Sequence, residues 1–285
     1  MLDKDLVLPL KSLDVAQYVT FLKQTSSSKS AIDCISAASK WLNSFIPGIN
    51  KMNDSLNDEF LHKVINSAQR ALAKPKNRKK PLTGDLVKDI IQNSKLDTLK
   101  SLRDTLVPAL SYSLLMRYDE LSHINCLHIS EFENHYQFNI PSSKNDQLRG
   151  GRIVYLYKTI EATSVAQILK KYLNLSGLSL STDHFLICAI RFDPLTKSNV
   201  LMNKPISYTC CREIIKEAIK NIGLDASAFS THSARAGGAT DLAPHVSQRE
   251  LQISGRWNDP RSLGNYVETP LERRLEMSRL LAIKD

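Results

Sequence analysis

Residues 230–238 read Ser230-Thr231-His232-Ser233-Ala234-Arg235-Ala236-Gly237-Gly238, and Ser254-Gly255-Arg256-Trp257 is followed, nine residues after the tryptophan, by Tyr266. His232 and Arg235 stand three apart, which places them on one face of a helix. Ser230 or Thr231 is an N-cap by residue type, so the free backbone N–H groups of that helix start aim the same way as the two side chains. Two other places belong with these. In the stretch 114–121, Arg117 and Glu120 again stand three apart, at the end of an apolar helix. Lys144 lies in a polar stretch closed by Gly150-Gly151, which reads as the tip of a hairpin.

Around these residues the chain changes texture. Helices are expected near 83–93 and 98–116, then three strand-like runs, 125–130, 136–140 and 153–157. Tyr136, Phe138 and Ile140 alternate with polar residues, as a half-buried strand requires. From 162 onward helical patterns return, interrupted by an apolar run at 184–190. Upstream, three helical stripes stand out: Val15, Tyr18, Val19 and Leu22; Ile32, Ile35, Ala38, Trp41 and Leu42; Phe60, Val64, Ile65, Ala68 and Leu72. Pro47-Gly48 is expected to end the second helix. Residues 1–73 thus read as an all-helical module of three or four helices. Residues 74–82 form a basic linker, and 83–285 a second, α+β domain with a small antiparallel sheet.

The 285 residues carry a net charge of +9, and the first 80 hold 13 Lys+Arg against 7 Asp+Glu. Five cations crowd between Lys74 and Pro81. Lys76, Arg78, Lys79 and Lys80 there suit a strap along a polyanion, a solvated loop or a nuclear import signal equally well. A hydrophobic share of 42% and a charged share of 24% exclude a disordered tail and a collagen-like fibre. No run approaches the roughly 18 apolar residues that span a bilayer, and the acidic start lacks the pattern of a signal peptide. A soluble intracellular protein with no membrane partner is expected. Five scattered cysteines without a Cys-x-x-Cys pair read as reduced core thiols. No zinc motif, phosphate-binding loop or dinucleotide turn is present, so neither metal nor cofactor is expected. His123 and His128 stand at no ligand spacing.

The ordered set of Arg117 with Glu120, Lys144, His232-x-x-Arg235, Trp257 and Tyr266 resembles the tyrosine recombinase (phage-integrase) family. The resemblance covers the whole chain in outline and is strongest at 114–121, 230–241 and 253–267. It implies a helical core-binding domain that grips DNA, followed by the family's catalytic domain. By the same resemblance Arg117 and Arg235 clamp a DNA phosphate with planar donor forks that stay charged. His232 and Trp257 add donors, Tyr266 is the nucleophile and Lys144 protonates the leaving 5′-hydroxyl. Glu120 holds Arg117 or His232 by a charge-assisted hydrogen bond. The family more often has His where this chain has Trp257, which puts a titrating role at that position in doubt. The chemistry implied is strand cleavage and rejoining through a 3′-phosphotyrosine bond, needing neither metal nor ATP.

The implied function is a site-specific DNA recombinase or integrase acting on double-stranded DNA as a tetramer. Two other readings are a type IB topoisomerase, which shares the chemistry, and a non-catalytic DNA-binding protein derived from a recombinase. The Gly-Arg-Trp variant and the lysine-rich linker resemble recombinases of eukaryotic transposable elements. The chain would then be nuclear; a bacterial or phage origin would make it cytoplasmic or nucleoid-bound, and it could be part of a longer protein. Each residue also has a plainer reading. Arg117 and Glu120 could be a surface helix pair, Lys144 a solvated lysine, Trp257 a core anchor and Tyr266 a buried tyrosine. Arg256 either touches phosphate or faces water. The charged helix after Pro270 packs on its own domain or, as in the family, on a neighbouring protomer.

Overall fold

The computed structural model describes residues 8–25, 28–50, 53–73, 78–140, 152–195, 197–268 and 271–280. The chain divides into two compact units that meet between Asn77 and Arg78. The first is built from α1 (Ser12–Thr25), α2 (Lys29–Asn43) and α3 (Glu59–Ala71). Its core is Val15, Ala16 and Val19 of α1, Ile32 of α2, and Leu61, Ile65 and Ala68 of α3, closed by Leu10 and Leu56. The buried stripes are rotated from those read in sequence. Trp41 is 62% exposed and Phe60 53%, whereas Ala16 and Leu61 face inward. Helix α2 stops at Asn43, ahead of Pro47, and the buried Asn43 amide is committed elsewhere. It accepts from the Leu10 backbone N–H (2.8 Å) and donates to the Leu10 carbonyl and to Asp54. An asparagine spent on distant backbone fastens the segment before α1 to the end of α2.

The second unit is assembled around α5 (Leu99–Ser113), whose Leu102, Leu106, Val107 and Leu110 are fully buried. Helices α4 (Gly84–Asn93), α7 (Val165–Ser176), α8 (Tyr208–Asn221) and α9 (Ser233–Leu242) pack against it. A three-stranded antiparallel sheet, β1 (Ile129–Glu131), β2 (His135–Ile140) and β3 (Arg152–Tyr157), lies to one side in that order. Tyr136, Phe138 and Ile140 are buried as their alternation requires, with Tyr136 opposite Leu156 and Phe138 opposite Val154. The first strand begins later than expected. Asn125 accepts from Leu127 N–H and winds Cys126–His128 into a 3-10 turn. The apolar run at 184–190 opens a second hairpin that the sequence reading lacked, β4 (Cys188–Asp193) paired with β5 (Ser198–Pro205).

Short helices carry the rest: α6 (Tyr118–Ser122), α10 (Gln248–Gly255) and α11 (Leu271–Leu280). Cys126, Cys188 and Cys211 are buried thiols, while Cys34 is exposed, contrary to the core placement expected for it. No helix among the described residues is long and apolar enough to cross a membrane.

Candidate active site

Helix α5 was expected to run on to residue 116. It stops at Ser113 because Leu115 turns into the left-handed region (φ 48°). Arg117 is therefore the N-cap of α6 and not the end of an apolar helix. Its backbone N–H donates to Glu120 Oε2 (2.9 Å) and its Nη1 to Oε1 (2.7 Å). Glu120 thus reaches back to the N-cap backbone as in a capping box, and an ion pair stands beside that bond. Glu120 is only 3% exposed, which excludes the surface-pair reading.

Helix α9 brings the second arginine. The turn before it is tied by Ser230 Oγ, which accepts from His232 N–H, and by Ser233 Oγ, which accepts from Ser230 N–H. The N-cap is His232 itself, not Ser230 or Thr231; Thr231 is buried and donates to the Tyr208 hydroxyl. His232 is exposed at the helix start, while Arg235, almost one turn on, is fully buried. Helix α9 comes this close because Gly237 and Gly238 lie against the Leu82 and Tyr112 carbonyls, where a Cβ would overlap backbone.

Arg235 Nη1 donates to the Leu115 carbonyl and Nη2 to the Gly255 carbonyl. Its guanidinium carbon lies 4.4 Å from the centre of the Trp257 ring and 5.4 Å from that of Tyr266. The two rings are 5.3 Å apart and tilted by 51°. Gly255 must lack a side chain because the Trp257 ring covers it. Tyr266 ends the 3-10 turn Pro260–Asn265, which Asp259 opens by accepting from Arg261 N–H. The half-buried tyrosine is pinned to α9 through Thr240, whose hydroxyl donates to its carbonyl and accepts from Glu268 N–H.

The third guanidinium is Arg256, expected to touch phosphate or face water. It is 4% exposed, so it does not face water, and its Nη2 donates to Glu120 Oε2 at 2.8 Å. Burial alone would raise the Glu120 carboxyl; Arg256, the Arg117 backbone and Arg235 outweigh it and hold the group below its ordinary range. Burial and the neighbouring Arg117 charge push Arg235 down, to about 9, so it stays charged at neutral pH. Three guanidiniums around one carboxylate leave two net positive charges in a low-dielectric place. Beside them, Arg235 Nε, Arg256 Nε and Trp257 Nε1 are buried N–H donors with no acceptor. Such a site suits an anion.

The structure thus brings together Arg117, Glu120, Arg235, Arg256, Trp257 and Tyr266, with His232 at the head of α9. Trp257 is also a core anchor, packed with Leu115, Ala239, Leu251 and Leu263. Lys144 and Lys76 lie outside the described residues. Arg78, Lys79 and Lys80 are exposed, and Lys79 Nζ donates to the Ser227 carbonyl. Sequence reading missed Thr240 as a support for Tyr266, for which no spacing gives a signal. It also missed the buried role of Arg256, although its place just past a helix end, where glycine is commonest, marked it as unusual. Among the described residues no group of three or more His, Cys, Asp or Glu could share a metal ion.

No profile of a known protein family matches the chain. It is 23% identical over 266 residues to an integrase/recombinase XerD homolog of Selenomonas ruminantium, covering 92% of this chain and 74% of that protein. It is 23% identical over 215 residues to recombinase Cre of Escherichia phage P1, covering 69% of this chain and 57% of Cre. In structure it resembles the XerH site-specific recombinase bound to a palindromic difH substrate in a post-cleavage complex. The TM-score is 0.61 at 14% identity, over 95% of this chain and 72% of that one. The fold is that of XerH, and the two proteins similar in sequence are an integrase/recombinase homolog and a recombinase.

Proposed function

We propose that the protein is a site-specific DNA recombinase that cuts and rejoins strands through Tyr266. The observation that carries this reading is the phenol ring packed beside a buried site with two net positive charges and three unpaired N–H donors. The Tyr266 oxygen attacks phosphorus, the phosphorus–O5′ bond breaks, and the 3′ strand end stays joined to the tyrosine. The proton lost by the phenol goes to His232, and the departing 5′ oxygen takes one from Lys144. As charge grows on the non-bridging oxygens, Arg117, Arg235 and the Trp257 indole N–H stabilise it. A free phenol is ionised in only about one molecule in a thousand at neutral pH, so these cations matter most at the attack step. Because one phosphodiester replaces another, the reverse attack rejoins DNA without ATP.

The first unit would grip duplex DNA, with Lys76, Arg78, Lys79 and Lys80 neutralising its phosphates. Several protomers would act together; the XerH relative was captured on its DNA substrate after cleavage. The test incubates the full chain with nicked duplexes tiled across the DNA flanking its gene. A covalent adduct mapped to Tyr266 by peptide mass spectrometry and absent from Tyr266→Phe is the expected result. Binding without adduct would make the protein a non-catalytic DNA binder. Relaxation of a supercoiled plasmid without exchange between paired sites would make it a topoisomerase.

A further inference from the structure

Helix α10 ends at Gly255, and the next residue, Arg256, stands in the left-handed region at φ 57°, ψ 42°. Glycine or asparagine usually occupies such a position, since a Cβ is disfavoured there. Leu115, at the end of α5, is also left-handed. The two turns are joined by one guanidinium. Arg256 Nη2 lies 2.7 Å from the Leu115 carbonyl, 3.2 Å from that of Leu114 and 2.8 Å from Glu120 Oε2. Its Nη1 donates to the carbonyls of Ser254 (2.9 Å) and Leu114 (3.2 Å). An arginine kept in a strained backbone position and engaged on four groups at once acts as a brace.

Two of those acceptors are shared. Arg235 Nη1 also donates to the Leu115 carbonyl and lies 3.6 Å from the same Glu120 oxygen. If Arg235 swings toward an anion, it lets go of both. A buried carboxylate and carbonyl left unpaired would oppose that motion. Arg256 keeps both engaged.

We propose that Arg256 is a positioning residue, which holds Glu120 and the Leu115 turn so that Arg117 stays aimed and Arg235 is free to engage the phosphate. This rests on the recombinase reading of the site. The charged groups facing Glu120 are Arg117 from the start of α6, Arg235 from α9 and Arg256 from the end of α10. Removing Arg256 takes away the strongest of the attractions that keep the Glu120 carboxyl low.

Two variants separate the roles. Arg256→Gln keeps the backbone strain and loses the charge; Arg256→Lys keeps the charge and loses the fork. The probe is whichever nicked duplex gives the native chain its strongest adduct. Arg256→Gln should slow single-turnover adduct formation by about 10–100-fold, the usual loss when a supporting partner is removed. Its affinity for the same duplex, read by fluorescence anisotropy, should stay within about twofold. Arg256→Lys should fall between, and the acid limb of the rate should move to higher pH in Arg256→Gln. A Gln variant as fast as the native chain, a loss of affinity equal to the loss of rate, or an unmoved acid limb would overturn the proposal. Should the native chain form no adduct, the recombinase reading fails, and urea unfolding across pH then judges Arg256 by itself. The stability gap between native and Gln chains should widen from acid to neutral pH, where Glu120 is ionised. A gap that does not change with pH would reject the brace.

Discussion

The Arg235 guanidinium carbon lies over the Trp257 ring, 4.4 Å from its centre, while the indole Nε1 of the same tryptophan has no acceptor. One side chain thus supplies packing through its face and a spare donor at its edge. The two contributions are separable by substitution. Trp257→Phe keeps a ring over the guanidinium and loses the N–H. It should fold normally and form adduct more slowly, by about the 2.7–4 kcal/mol that a preorganised donor typically gives. Trp257→Ala should also lose about 3–5 kcal/mol of stability by urea unfolding, since it empties part of the cluster with Leu251 and Leu263. Equal rates for Trp257→Phe and the native chain would remove the indole from the chemistry.

Glu120 sets the response to acid. Its folded pKa is depressed, so its contribution is fully present above the ordinary carboxylate range and is lost as pH falls through the folded value. Glu120→Gln leaves three guanidiniums, two buried and Arg117 partly buried, without their counter-charge. It should cost about 3–5 kcal/mol at neutral pH, the range for breaking a buried pair from one side. The penalty should shrink on acidification, as native Glu120 takes up its proton. Unfolding curves recorded at several pH values decide it, and a penalty that grows toward acid would contradict the arrangement.

Helix α11 presents Leu275 and Leu280 to solvent, 59% and 78% exposed. Should the proposed recombinase act in several copies, these exposed apolar residues are where a neighbouring protomer would pack. Deleting 271–285 should leave the affinity for a single DNA site unchanged and abolish the slower-migrating complex that paired sites form in a native gel. A truncated chain that still pairs sites would assign α11 to its own domain alone.

Much of the fold could be read before the structure. The alternation at Tyr136, Phe138 and Ile140 placed β2 because burial on one face dictates that pattern. His232 and Arg235 were read on one face of a helix; the structure makes His232 the exposed N-cap of α9 and buries Arg235 inside the helix. Some misreadings come from side chains acting on distant backbone. Asn43 at the end of α2 holds Leu10, and Arg235 and Arg256 hold the Leu115 turn that ends α5. Strand β5 escaped notice because its residues are mostly exposed or half-exposed and show no alternating burial. For the site, residue types and order were legible, but the burial of Arg256 was not. Apart from Ser254, its partners come from residues 114–120, far away in sequence.

The segment entering the second unit has its own bearing on how this protein can be handled. Lys80 N–H donates to the Ala228 carbonyl and Leu82 N–H to the Ser233 carbonyl, so that stretch runs alongside the loop bearing His232. A fragment designed to begin at Gly84, where the first helix starts, would strip both hydrogen bonds from the approach to α9. The natural cloning boundary for the isolated second unit is Arg78.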